Sequence, residues 1–149
     1  MNTGMIATKN VETCANNATI LQAAELMRSE HVGDLVVVEY RDGKPFPIGI
    51  ITDRDLVIEV MAMQVDPTSV TVGDVMSRKL ILASDTEDLE VALERMRGAG
   101  IRRVPLVNTQ GVLVGIVTID DIVERLASTL AGASHVGLLQ SADERVLRR

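Results

Sequence analysis

Aromatic residues are almost absent from this chain of 149 residues. Tyr40 and Phe46 are the only two, and tryptophan is missing. The apolar share is nevertheless 46%, so we expect a core of Val, Ile, Leu, Ala and Met. A chain of this length buries about two thirds of its unfolded surface, which suffices for a self-standing core. A ligand with an aromatic ring would have to contact aliphatic side chains and backbone, because few aromatic side chains are present to stack on it.

Cysteine, histidine and long apolar runs are also scarce. Cys14 is the only cysteine, which excludes an internal disulfide and fits a reducing, cytoplasmic compartment. No run reaches the ~20 apolar residues of a membrane span, so we expect no membrane partner. His31 and His135 have no cysteine or acid at metal-ligand spacing, and neither a Walker loop nor a Gly-x-Gly-x-x-Gly motif occurs. We therefore expect no bound metal and no catalysis.

Positive charge is outnumbered, with 15 Lys and Arg against 21 Asp and Glu and a net charge of −6. The one basic block is Arg148-Arg149 at the end of the chain. A nucleic-acid surface needs clustered positive charge, so we expect no nucleic-acid partner.

The sequence contains an internal repeat. A helical apolar face recurs after 69 positions, first as Ile20, Ala23, Ala24 and Met27 and then as Leu89, Ala92, Leu93 and Met96. Each face precedes two β-rich segments joined by turn residues, which indicates a hairpin. The second strand of each hairpin ends in related residues, 49–55 and 115–121, and another amphipathic segment follows. The repeat predicts two copies of one α/β unit.

We place these copies at residues 3–71 and 72–131. The connection at residues 64–69 is too short to be a free linker, so the copies should pack on each other. The small residues 131–134 are expected to end the last helix of the second copy. Residues 132–149 then form a tail with at most a short final helix.

A Thr-x-x-Asp sequence closes each hairpin, as Thr52 with Asp55 and as Thr118 with Asp121. Two interpretations remain open. The hydroxyl and the carboxylate can form a capping box at a helix start. Alternatively, helix amides and the hydroxyl can bind an anion, while the carboxylate accepts hydrogen bonds from the two hydroxyls of a ribose.

Each copy contains a helix, a hairpin, a Gly-hydrophobic-hydrophobic-Thr-x-x-Asp turn and a further helix. This repeated series covers about residues 5–130. It resembles a tandem pair of CBS domains, the motif named after cystathionine β-synthase. The resemblance implies an α/β (α+β) fold: two β-α-β-β-α units related by a pseudo-twofold axis and packed sheet to sheet, with two clefts between them. It also implies a regulatory module that binds AMP, ADP or ATP, and in some members NAD or S-adenosylmethionine. Such proteins commonly form homodimers and act on a regulated protein, here unknown.

The family pattern also implies candidate ligand-binding residues. Asp55 and Asp121 would hold ribose hydroxyls, and Thr52 and Thr118 would contact ribose or phosphate. Segments 32–35 and 101–105, which include Gly33 and Pro105, would contact the base.

Charge differs between the copies, because Arg54 of the first turn corresponds to Asp120 of the second. The second site therefore needs cations from elsewhere. Arg102 and Arg103, together with Ser77, Arg78 and Lys79 of the lead-in segment at the start of the second copy, are the candidates, although each can equally lie on a solvated rim. We predict inequivalent sites, the stronger one containing Thr118, Asp121 and the Arg102-Arg103 pair.

Three functions are compatible with the sequence. The first is an adenylate or energy sensor that signals to a partner. The second is a structural dimerisation or adaptor module with vestigial clefts, and the third is a hydrolase or transferase acting on nucleotides. The candidate dimer interface, whose alternative is burial within one chain, comprises Val57, Val60, Met61, Val123 and Leu126.

Overall fold

The computed structural model describes residues 1–147 as two similar halves. A single 3-10 turn, Thr3–Met5, precedes the first half. That half comprises β1 (Thr13–Ala15), α1 (Ile20–Glu30), β2 (Asp34–Arg41), β3 (Lys44–Thr52) and α2 (Asp53–Asp55), which continues as a π-helix (Leu56–Met61). The second half comprises α3 (Val72–Val75), β4 (Ala83–Ser84), α4 (Leu89–Ala99), β5 (Arg103–Val107), β6 (Leu113–Thr118) and α5 (Ile119–Leu147).

The amphipathic helix of each half forms as its apolar spacing predicts. In α1 the buried residues are Ile20, Ala23 and Met27, and in α4 they are Leu89, Ala92 and Met96. Thr19 and Gln22 form a capping box at the start of α1, while Asp88 accepts from the amide of Glu90 at the start of α4. Each helix thus covers one face of the sheet in its own half.

Each half contains one three-stranded sheet with the same topology. β1 lies parallel to β2, which is antiparallel to β3, and β4, β5 and β6 repeat this order. The register shifts at Val37/Val38 in the first sheet and at Leu106/Val107 in the second. These positions are again 69 residues apart, so the irregularity is part of the repeated unit.

Reciprocal backbone bridges relate the halves by a pseudo-twofold axis. Thr8 before the first half pairs with Ile116 of β6, and Ser77 before β4 pairs with Ile50 of β3. Each lead-in segment therefore adds an edge to the sheet of the other half. The two sheets meet in a separate apolar cluster, formed by Val36, Val38, Leu113 and Ile116 with Val11 packed against it. This arrangement confirms the α/β fold of two units packed sheet to sheet.

The last helix differs from the expectation. α5 runs without interruption through residues 131–134 to Leu147, so the expected helix end and separate tail are wrong for this segment. The physical reason is that small residues do not by themselves end a helix: a glycine costs about 1 kcal/mol relative to alanine, and Gly132 keeps a negative φ. Arg148 and Arg149 lie outside the described residues. Within residues 1–147, no helix combines the length and the apolar character needed to cross a membrane.

Candidate functional site

The Thr-x-x-Asp turn of the first half forms a capping box at the start of α2. The amide of Thr52 donates to Oδ2 of Asp55 at 2.9 Å, and the amide of Asp55 donates to Oγ1 of Thr52 at 3.2 Å. Asp55 therefore uses one carboxylate oxygen locally. Within residues 1–147, its other oxygen, Oδ1, accepts no hydrogen bond, and the Thr52 hydroxyl donates none. The capping role leaves an acceptor and a donor for a ligand.

The equivalent turn of the second half uses its groups more fully. The amide of Thr118 donates to Oδ2 of Asp121 at 2.8 Å, and the amide of Asp121 donates to Oγ1 of Thr118 at 3.2 Å. In addition, the Thr118 hydroxyl donates to the same Oδ2 at 2.8 Å. The hydroxyl proton is thus already engaged in this turn.

A cavity of about 470 Å³ opens between the two halves, beside the first turn. We call it the basic cleft. Its walls come from the end of β3 and α2, from the lead-in segment of the second half and from the start of β5. The lining residues are Ile50, Thr52, Asp53, Arg54, Asp55, Ser77, Lys79, Leu80, Ile81, Gly100, Ile101, Arg102, Arg103 and Pro105. Its volume lies in the range typical of small-molecule sites, about 300–1,000 Å³.

Positive charge predominates in the basic cleft, although the chain as a whole is acidic. Four cationic residues, Arg54, Lys79, Arg102 and Arg103, line it against two carboxylates, Asp53 and Asp55. Among the described residues, neither Arg54 nor Lys79 takes part in an ion pair. A concave surface with excess cations concentrates anions.

The structure brings together most of the residues singled out in the sequence. Eight of them line the basic cleft: Thr52, Arg54, Asp55, Ser77, Lys79, Arg102, Arg103 and Pro105. Gly33 lies just behind it, and its carbonyl accepts from the amide of Asp53 at 2.9 Å. Arg78 is exposed and donates to the carbonyl of Gly73 at 3.3 Å.

The grouping of these residues differs from the prediction. Arg102 and Arg103 line the cleft of Thr52 and Asp55, and neither Thr118 nor Asp121 lines it. The reason is the pseudo-twofold packing, which places the start of the second hairpin opposite the turn of the first. Asp121 instead lines a separate cavity of about 260 Å³, with Met5, Ile6, Glu124, Arg125 and Ser128.

One ion pair crosses the boundary between the halves beside the basic cleft. The guanidinium of Arg103 donates to a carboxylate oxygen of Asp34, and both side chains are largely buried. Burial raises the pKa of the Asp34 carboxyl, while the charge and hydrogen bond of Arg103 lower it and the charge of Asp53 raises it. Arg102 makes a more exposed contact with Asp120, at 3.3 Å.

Some lining residues carried no individual signal in the sequence. Leu80 and Ile81 reach the cleft because the lead-in segment of the second half crosses to β3, where the amide of Ser77 donates to the carbonyl of Ile50 at 3.0 Å. The only sign of this crossing in the sequence is a weak match between the two lead-in segments, in which Gly4, Ile6, Thr8 and Lys9 align with Gly73, Val75, Ser77 and Arg78. Asp53 reaches the cleft as the first residue of α2. Within residues 1–147, no three His, Cys, Asp or Glu side chains lie close enough to share a metal ion.

Comparison with known proteins places this repeat in a family. The CBS domain model matches residues 4–62 and 72–128. The CBS domain-containing protein YhcV of Bacillus subtilis is 37% identical over 128 residues, which cover 85% of this chain and 87% of YhcV. The protein MK0525 of Methanopyrus kandleri is 38% identical over 121 residues, which cover 81% of this chain and 60% of that longer protein.

Solved structures share the fold and the extent of the repeat. The CBS domain protein PAE2072 of Pyrobaculum aerophilum, complexed with AMP, superposes with a TM-score of 0.74 at 27% identity, covering 86% of this chain and 99% of that chain. The CBS domain pair of protein MJ0100, in complex with 5-methylthioadenosine and S-adenosyl-L-methionine, gives a TM-score of 0.75 at 26% identity, covering 87% and 98% of the two chains.

Proposed function

The chain belongs to the CBS domain family, and we propose that it is a regulatory module that binds an adenosine nucleotide in the basic cleft and acts through another protein rather than by catalysis. One observation carries this proposal: the fold joins Thr52 and Asp55 of one half to Arg102, Arg103 and Pro105 of the other around one cavity. Residues from both halves then contact the same ligand, so occupancy is coupled to their arrangement.

The cleft offers suitable groups for each part of a nucleotide. The Oδ1 atom of Asp55 can accept from the ribose hydroxyls, and the hydroxyl of Thr52 can donate to ribose or phosphate. Arg54, Lys79 and Arg102 supply positive charge for phosphate. The base would contact aliphatic groups, which are provided by Ile81, Ile101 and Pro105.

The excess of cations favours a ligand that carries phosphate, which points to AMP, ADP or ATP. The similar protein PAE2072 is complexed with AMP, and the similar CBS pair of MJ0100 holds 5-methylthioadenosine and S-adenosyl-L-methionine. NAD also combines an adenosine with phosphates and belongs in the same test.

A structural module with vestigial clefts is the second candidate. It is favoured by the capping boxes, because Thr52, Asp55, Thr118 and Asp121 all have a local structural role without any ligand. In that case the exposed apolar surface would be the functional part of the molecule.

Isothermal titration with AMP decides between these candidates. Asp55→Ala should weaken AMP binding at least tenfold, because hydrogen bonds to a charged group contribute about 1.5–3 kcal/mol. Asp121→Ala is the matched control: it removes an equivalent capping carboxylate that does not line the basic cleft, so AMP affinity should stay within twofold. If no adenosine compound from the panel AMP, ADP, ATP, NAD, 5-methylthioadenosine and S-adenosyl-L-methionine binds, the proposal of an adenosine-binding module is wrong.

We also propose that the chain forms a homodimer through a helix patch, defined as Val57, Met61, Val123 and Leu126. These four side chains are 51%, 73%, 58% and 50% exposed. Val60, which the sequence placed with them, is buried in the core of the first half and is excluded. The chain exposes 9661 Å², whereas a compact monomer of this mass exposes roughly 7,400 Å². Every residue of α5 from Val123 to Leu147 is exposed, so this helix accounts for part of the excess, and Val123 and Leu126 of the helix patch lie on it.

A further inference from the structure

Asp34 and Arg103 occupy equivalent positions in the two halves. Each is the first residue of its hairpin, at the start of β2 and of β5, and they are separated by the 69 positions of the repeat. They also contact each other directly, so the ion pair lies where the two halves meet. The same position thus carries opposite charges in the two copies, and these charges neutralise each other within one chain.

The two partners differ in their access to the basic cleft. Arg103 lines the cavity, whereas Asp34 is not among its lining residues. Asp34 lies opposite Thr52 in the antiparallel pairing of β2 with β3. Asp34 therefore contacts the Arg103 guanidinium from the sheet of the first half, whereas a ligand would contact this guanidinium from the cavity.

We propose that Asp34 is a specificity-determining residue of the basic cleft, because its carboxylate binds Arg103 in competition with the phosphate of a ligand. This inference rests on the proposed function, which it deepens by assigning the anion selectivity to one ion pair. The remaining cations, Arg54, Lys79 and Arg102, attract phosphate directly. Asp34 limits that attraction in two ways: it engages Arg103, and it adds a negative charge beside Thr52.

Burial makes this competition strong. The exposed fractions of the Asp34 and Arg103 side chains are 19% and 28%, so neither charge is fully screened by water. Burial raises the pKa of the Asp34 carboxyl, while the charge and the hydrogen bond of Arg103 lower it, so the carboxylate would be less stable without Arg103. A phosphate that binds the Arg103 guanidinium must therefore offset the free energy lost when the ion pair with Asp34 is broken. An uncharged ligand leaves the pair intact.

Titration calorimetry with AMP and 5-methylthioadenosine tests the inference, since the second ligand lacks phosphate. Asp34→Asn should tighten AMP binding by about five- to tenfold, in line with removal of one competing charge at short range. Binding of 5-methylthioadenosine should change by less than twofold. Asp34→Glu, which keeps the charge, should restore the wild-type ratio of the two affinities. Asp42→Asn, an equal charge change in an exposed turn, should leave both affinities unchanged.

The inference is overturned if Asp34→Asn alters both affinities equally, or neither. Thermal stabilisation by pyrophosphate provides a second measurement that needs no adenosine. A larger pyrophosphate-induced increase in Tm for Asp34→Asn than for wild type supports the competition even where adenosine compounds do not bind and the proposed function fails. An equal increase counts against it. Asp34→Ser replaces Asp34→Asn in both measurements if the asparagine variant does not fold.

Discussion

The hydroxyl of Thr118 donates a hydrogen bond to Oδ2 of Asp121 at 2.8 Å, and the corresponding Thr52 donates none to Asp55 among the described residues. The two turns share both amide hydrogen bonds, so this hydroxyl is the difference in their Thr–Asp hydrogen bonding. In the second half the hydroxyl stabilises the turn. In the first half it remains available for a ligand, which supports the placement of the nucleotide at the basic cleft.

Replacement of each threonine by valine should reveal this difference in stability. Thr52→Val removes one capping hydrogen bond and should cost about 1 kcal/mol of unfolding free energy. Thr118→Val removes two and should cost about 2 kcal/mol. Urea denaturation of the two variants measures both values. Equal losses would show that the hydrogen bond from the Thr118 hydroxyl to Asp121 does not contribute to stability.

Gly49 is required by the contact between the halves. A Cβ at this position would lie 3.0 Å from the carbonyl oxygen of Ser77 and 2.6 Å from Sδ of Met76. Gly49→Ala should therefore destabilise the fold by about 1–3 kcal/mol through overpacking.

Gly98→Ala is the matched control, because a Cβ there meets no atom within 4 Å and the residue lies in α4. It should stabilise the chain by about 0.5–1 kcal/mol through helix propensity. Thermal unfolding of the two variants gives the comparison. A neutral Gly49→Ala would mean that the lead-in segment can move away from β3 without cost.

The helix patch can be tested by placing a charge in it. Val123→Lys should convert a dimer to a monomer in sedimentation velocity experiments, because a lysine buried in the interface has no partner in the patch. Thr109→Lys, in the exposed turn between β5 and β6, introduces the same charge elsewhere and should leave the assembly unchanged. A wild-type protein that sediments as a monomer at high concentration would refute the proposed dimer.

Cys14 should be an unreactive thiol in the native protein. It lies in β1, partly buried against the core of the first half, and burial raises its pKa from 9.0 to about 11. The thiolate fraction at pH 8 then falls ~100-fold, so reaction with a disulfide reagent should be slower than in the urea-unfolded chain by at least that factor. A similar rate in both states would contradict the burial of the thiol.

The raised pKa of Cys14 also makes the stability of the fold depend on pH. The folded chain binds the Cys14 proton more tightly than the unfolded chain does, so the contribution of this group to stability is present below pH 9 and is lost as the pH rises toward 11.

Local spacing in the sequence was enough to predict the repeated helix faces, the hairpins and the capping chemistry of the two turns. The apolar positions of α1 and α4 are buried as their spacing requires, because helical periodicity is a property of neighbouring residues. Thr52 with Asp55 and Thr118 with Asp121 form hydrogen bonds over three residues, so they too depend only on local sequence. The resemblance to the CBS family added the packing of sheet on sheet.

The tertiary structure decided which residues share a cavity and which charges are paired. Arg102 and Arg103 belong to the same half as the second turn, yet the packing of the two halves brings them to the first. Asp34 and Arg103 are 69 positions apart, and the pseudo-twofold axis places them in contact. Spacing along the chain sets the contacts within one helix or hairpin, whereas contacts between elements depend on how the two apolar sheet faces are buried against each other.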